Sequence, residues 1–117
     1  MADKLFLFPP SFLDPAAGEG NFYCPFCAAI NGVLTYFPQL RAKIDVHEVD
    51  FHRPRPAVAA LLGPDHPGCP LLVLDSNSAS PPGIAVQQAA NGQRYIADSL
   101  QIGRYLAAVY GVASPHP

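Results

Sequence analysis

Phe22-Tyr23-Cys24-Pro25-Phe26-Cys27 sets two cysteines around a proline directly before a run that reads as a helix. With Cys24 at the helix entrance and Pro25 at the first helical position, the proline forfeits no hydrogen bond, because that backbone N–H has no partner inside a helix. Cys27 then lies one turn on, on the same face as Cys24. The first sulfur faces the unsatisfied N–H groups and the positive end of the helix dipole, which favour a thiolate and mark Cys24 as a nucleophile. Cys27 stands within reach to attack a mixed disulfide formed on Cys24. The same pair also fits an inert buried couple or half a zinc site.

The rest of the chain supplies a frame for this segment. Upstream, Leu5-Phe6-Leu7-Phe8, closed by Pro9-Pro10, is the continuous apolar run of a strand buried on both faces. Residues 9–23 carry Asp14-Pro15 and Gly18-Glu19-Gly20 and read as a long loop delivering the chain to Cys24. Downstream, Ile30, Val33, Leu34 and Phe37 recur at helical spacing until Pro38. Gly32 inside that helix costs about 1 kcal/mol against Ala or signals close packing. Asp45 to Phe51 largely alternates polar and apolar residues, a second strand with one exposed face. Ala57 to Leu62 is a short helix stopped by Gly63-Pro64, and Pro70 to Asp75 is a third, strongly apolar strand. Residues 76–92 read as a second long loop, with room for a turn of helix over Ile84 to Ala90. Gln93 to Ile96 is a short fourth strand, followed by a helix from Asp98 to Tyr110 that Gly111 ends. This order predicts one α/β domain over residues 1–117, a central four-stranded mixed sheet with flanking helices. With short, un-knotted connections the strands lie in the spatial order second, first, third, fourth.

A chain of 117 residues has room for a single core. The formal net charge is −2 and only 7 residues are Lys or Arg, with no basic patch, so no nucleic-acid partner is expected. No segment approaches the about 18 apolar residues of a membrane span. Three cysteines, an odd number, and no export signal point to a reducing cytoplasm where thiols stay free. The 14 prolines are spread among the loops instead of forming a low-complexity tract.

The order of elements, Cys24-Pro25-Phe26-Cys27 after the first strand, Cys69-Pro70 opening the third, and Tyr95-Ile96-Ala97-Asp98-Ser99-Leu100-Gln101-Ile102-Gly103-Arg104-Tyr105-Leu106 near the end carry a resemblance. Over nearly its whole length the chain resembles the thioredoxin-like superfamily, specifically glutaredoxins and the N-terminal domain of glutathione transferases. It is also similar to a bacterial family of small, uncharacterised thioredoxin-like proteins. The resemblance implies a thiol–disulfide oxidoreductase that holds no obligatory cofactor and works on glutathione, as co-substrate, or on a protein disulfide. It makes Cys24 the nucleophile, Cys27 its resolving partner, and Pro70 a cis-proline whose neighbouring backbone, at Cys69, meets the peptide part of glutathione. Asp98 and Ser99 match the acidic-Ser pair that holds the γ-glutamyl end, and Tyr23, Pro25 and Phe26 complete the substrate-binding surface. The chain departs from this pattern in the length of residues 9–23, in residues 76–92 where a tight hairpin belongs, and in Cys69, where those families place a small apolar or hydroxyl residue. No helical second domain follows before Pro117, so transferase activity on xenobiotics is not expected.

Several of these residues have a second reading. Pro70 also fits an ordinary trans residue at a strand edge, and Asp98 with Gln101 fits a capping box, whose free N–H groups could themselves take a ligand's carboxylate. His66-Pro67-Gly68-Cys69 has the two-residue spacing of a metal knuckle, so Cys24, Cys27, His66 and Cys69 together could form a tetrahedral zinc site in a non-catalytic module. Cys69 is otherwise a redox modulator or a small buried hydrophobe. Arg53 and Arg55, between prolines, either meet a glutathione carboxylate through a planar fork or are solvated. His47 and His52 read as surface residues.

Overall fold

Leu5, Phe6 and Leu7 have apolar side chains on both sides of the backbone. In the computed structural model, which describes residues 2–117, they form the centre of the sheet. The elements follow as β1 (Lys4–Leu7), β2 (Phe12–Leu13), β3 (Asn21–Phe22), α1 (Pro25–Tyr36), a 3-10 turn (Pro38–Ala42), β4 (Asp45–Glu48), α2 (Pro56–Leu62), β5 (Leu71–Val73), β6 (Gln87–Gln88), β7 (Arg94–Ile96) and α3 (Ser99–Tyr110). Strand β1 pairs in parallel with β4, Leu5 beside Val46, and antiparallel with β5, Leu5 beside Leu72. The sheet runs β4-β1-β5-β7-β6, so the four expected strands stand in the expected order and a fifth extends the edge.

Alternation along the central strands divides the core in two. Leu5, Leu7, Leu72 and Leu74 face a cluster with Ile30 and Leu34 of α1 and Ile102, Tyr105 and Leu106 of α3. Phe6, Leu71 and Val73 face the other way, onto Val58 of α2. Helices therefore cover both faces, which is why β1 and β5 read as unbroken apolar runs.

The expectation of two long loops is corrected in both places. Residues 9–23 contain a two-stranded ribbon in which Phe12 pairs with Phe22 and Leu13 with Asn21. The Asp14 carbonyl accepts from the N–H groups of Ala17 and Gly18 at 2.9 and 3.2 Å. Gly20, at φ 85°, supplies a left-handed turn that other residues resist. An aromatic brace ties this ribbon to the chain after β4: Phe12 stacks on Phe51 at 4.3 Å, and Phe8 meets both edge-on. Residues 76–92 hold no helical turn; Ile84 to Ala90 instead leads into β6, which pairs with β7 through a tight turn where Ala89 N–H donates to Gln93 O at 2.9 Å. The pair Gln87-Gln88 is exposed at a sheet edge and shows no apolar alternation, so nothing in its composition marks a strand.

Helix α3 starts on Asp98, whose carboxylate accepts from Leu100 N–H at 3.3 Å, and ends on Gly111 at φ 77°. The capping box is not formed, because the Gln101 side chain accepts from Ala85 N–H at 3.1 Å. Gly32 in α1 has open space where a Cβ would go, so close packing is not its reason. Gly103 does answer to packing: a Cβ there would lie 2.8 Å from Pro115 of the C-terminal segment.

Asp3, just before β1, is 1% exposed and fully partnered. Its carboxylate accepts from Asp75 N–H (2.8 Å), the Ser78 hydroxyl (2.5 Å) and the hydroxyls of Tyr105 and Tyr110 (2.7 Å each), joining the end of β5 and α3 to the start of the chain. Burial alone would raise this carboxyl, but the hydrogen bonds from Ser78, Asp75, Tyr110 and Tyr105 outweigh it and hold the group below its ordinary value. Among the described residues, no helix is long and apolar enough to cross a membrane.

Candidate functional site

Cys24 is the N-cap of α1, with extended backbone angles, and Pro25 takes the first helical position. The N–H of Cys27 donates to Cys24 Sγ at 3.3 Å, so one of the helix's unsatisfied donors ends on that sulfur. Cys24 is partly exposed, whereas Cys27, one turn along, is 6% exposed and accepts at its own sulfur from Phe8 N–H at 3.5 Å. All three cysteines are free thiols. Burial pushes the Cys27 thiol up to about 12, with Phe8 N–H opposing and Cys24 adding to the shift.

The Cys69–Pro70 peptide is cis, and the carbonyl of Cys69 lies 3.8 Å from Cys24 Sγ, which donates to it. Cys69 packs against both halves of the core. Burial pushes its thiol up to about 12, the Arg55 charge pulling the other way and Cys24 adding to the rise. Arg55 is 7% exposed, so the expectation of a solvated arginine is corrected for this residue. Its Nε donates to the carbonyls of Asp50 and Phe51 at 3.0 and 3.1 Å, Nη2 donates to Phe51, and the guanidinium covers the Phe8 ring at 4.7 Å. Nη1 is buried without a hydrogen-bond partner.

His66 does not join the thiols. Its Nδ1–H donates to Pro67 O at 2.8 Å, and Nε2 takes Nη1–H of Arg53 at 3.2 Å, while Arg53 Nη2 also donates to His66 O at 2.6 Å. Both ring nitrogens have hydrogen-bond partners. Among the described residues no group of three or more His, Cys, Asp or Glu side chains is arranged to hold a metal ion. Of the four expected ligands Cys24, Cys27, His66 and Cys69, His66 has its ring nitrogens on Pro67 and Arg53 in this structure.

A cavity of about 470 Å³ opens beside the dithiol. Cys24, Cys27, Ala28 and Asn31 line it from one stripe of α1, as their spacing of three, four and seven residues requires. Leu7, Phe8, Val46 and Glu48 close it from the sheet, with Pro9, Pro10 and Tyr23 at one end and Arg41 also in the wall. Arg41 Nη2 donates to Asn31 Oδ1 at 3.1 Å. His47 of the same strand also borders the cavity, while its exposed ring stacks on Phe6 at 5.3 Å. Of the residues expected to bind substrate, Tyr23 lines this cavity. Phe26, 62% exposed, stands outside it, as do the exposed Pro25, Cys69, the buried Pro70, and the Asp98-Ser99 pair at the start of α3. Sequence reasoning missed Asn31, Arg41 and Glu48; the stripe continuing from the dithiol to Asn31 was the available signal.

Residues 2–114 match the family described as "Protein of unknown function (DUF3088)". No curated protein and no solved structure matches the chain significantly.

Proposed function

The chain belongs to the DUF3088 family, whose description names no activity, so its chemistry has to be read from its own site, and we propose a thiol–disulfide oxidoreductase of glutaredoxin type on a thioredoxin-like fold. The observation that carries this reading is the half-exposed Cys24 sulfur at the N-cap of α1, with the Cys27 N–H on it at 3.3 Å and the Cys69 carbonyl 3.8 Å away. A sulfur so held is open to a disulfide on one side and backed by a donor on the other. The β-α-β-α-β-β-α order of the main elements and helices on both faces of the sheet support the fold assignment. Three free thiols fit a reducing, cytoplasmic setting.

In the exchange, the Cys24 thiolate attacks one sulfur of a disulfide RS–SR′, forming Cys24–S–S–R and releasing R′S⁻. Cys27, once deprotonated, attacks the Cys24 sulfur, giving the Cys24–Cys27 disulfide and releasing RS⁻. Two equivalents of a small thiol such as glutathione then return the dithiol. The raised Cys27 thiol keeps the second step slow, which favours turnover through the mixed disulfide alone.

The test is the glutathione-dependent reduction of a small mixed disulfide. Cys24→Ser is expected to abolish turnover, and Cys27→Ser to retain a substantial part of it, because exchange through the mixed disulfide needs only the nucleophile. Equal loss in both variants, or full activity in Cys24→Ser, would overturn the assignment of roles.

A further inference from the structure

The dithiol has two flanks, and a cavity opens on one of them. Toward α3 lie Pro70, buried, and the exposed Asp98 carboxylate, which caps that helix by accepting from Leu100 N–H. Toward β4 lies the space of about 470 Å³, within the range of small-molecule pockets, with Cys24 and Cys27 both in its wall. Besides the thiols, Tyr23 and His47, its polar lining is the cation Arg41, the amide Asn31 and the anion Glu48. Arg41 turns one N–H to Asn31, not to Glu48, so the guanidinium keeps its charge and most of its donors for another group. A ligand that satisfies both charges must carry both signs.

We infer that the cavity between α1 and β4 is the binding site for a low-molecular-weight thiol bearing an amino-acid head group, its sulfur on Cys24, its carboxylate on Arg41 and Asn31, and its ammonium on Glu48. This rests on the exchange reading above and adds to it the position of the small-molecule partner and the residues that hold its head group. A planar guanidinium already oriented by a neighbouring amide suits a carboxylate's two oxygens. The bond that forms is Cys24–S–S–R, made when the Cys24 thiolate attacks the symmetrical disulfide RS–SR and expels RS⁻. The released thiolate leaves from the same cavity.

The experiment uses the full chain with Cys27→Ser and Cys69→Ser, so that Cys24 is the only thiol. The protein is equilibrated with glutathione disulfide and the disulfide of 2-mercaptoethanol, and the ratio of the two mixed disulfides on Cys24 is read by intact mass. Arg41→Met is expected to lower the preference for glutathione about tenfold, the worth of one charge-assisted bond. Glu48→Gln lowers it about threefold, an exposed charge being worth less. Lys43→Met, the same charge change two residues from Arg41 and outside the cavity, leaves the ratio unchanged. All three side chains are exposed, so the variants are expected to fold, which an unchanged urea midpoint checks. An equal fall with Lys43→Met would show bulk charge and not a site. A ratio that ignores Arg41→Met and Glu48→Gln while falling with Asp98→Ala would move the ligand to the α3 flank; either result overturns the inference and leaves the exchange reading standing. No mixed disulfide of either kind on Cys24 would end the exchange reading itself, and this inference with it.

Discussion

Asp3 and Arg55 are both buried charged side chains, and the structure completes only one of them. Asp3 has four donors, two from tyrosines of α3, and nothing left to offer. Arg55 gives three hydrogen bonds to the carbonyls of Asp50 and Phe51 and keeps a buried Nη1 with no partner, next to the segment that carries Cys69. The end of the sheet around Asp3 is closed by hydrogen bonds that answer one another, whereas the end around the dithiol holds a charge, three thiols and a cavity. The first end is closed by its partners and the second is left open.

Breaking the Asp3 cluster should have the largest effect. Asp3→Ala leaves the hydroxyls of Tyr105 and Tyr110 and the N–H of Asp75 without their partner in the core, a cost of about 3–5 kcal/mol in urea unfolding. The pH dependence carries the same signature. The folded carboxyl titrates below the unfolded one, so its contribution is complete above about pH 4 and is lost as pH falls through the folded value. On the alkaline side Cys27 and Cys69 titrate near 12 in the folded chain against about 8.5 unfolded, so stability falls as pH rises between those values. Asp3→Asn should flatten the acid limb and leave the alkaline limb in place. An acid limb unchanged in Asp3→Asn would mean that another carboxylate holds that end.

The two ends were unequally legible in the sequence. The dithiol, β1, β5 and both long helices declare themselves through local signals: an unbroken apolar run, a period near 3.6, a proline at N1, a glycine after the last turn. Asp3 gives no such signal, because its partners lie as far as 107 residues away and only the fold assembles them. Arg55 was visible only as an arginine between prolines; its burial comes from Phe8 and Phe51, which the β2–β3 ribbon braces. The cavity fell between the two cases. Its helical stripe is local, but Arg41 and Glu48 enter it from separate elements.

Removing the open charge should cost less than breaking the closed one. Arg55→Met keeps the bulk over Phe8 and gives up the bonds to two carbonyls, at a cost of about 1–2 kcal/mol. The larger change is expected in chemistry. Arg55 is the group that pulls the Cys69 thiol down against burial, so in a Cys24→Ser, Cys27→Ser background the alkylation of Cys69 should shift to higher pH in Arg55→Met. Cys69 labelling with an unshifted pH profile would show that the charge does not reach the thiol. A stability loss as large as that of Asp3→Ala would erase the difference between the two ends.

The smallest expected effect separates the stability of the helix from the chemistry at its mouth. Gly32 lies in the middle of α1, two turns beyond Cys24, and a Cβ there meets no atom within 4 Å. Nothing in the packing requires glycine, so Gly32→Ala should raise stability by up to about 1 kcal/mol through backbone entropy alone. The cap at Cys24, the Cys27 bond to Phe8 N–H and the cavity wall are untouched by that methyl group. Urea unfolding of Gly32→Ala should therefore shift to higher midpoint with an unchanged slope, while the rate of Cys24 alkylation stays as it is. A rate that falls as the helix is stabilised would show that exchange draws on fraying of the first turn of α1, and the reactive end would then be a matter of local opening as well as of static placement.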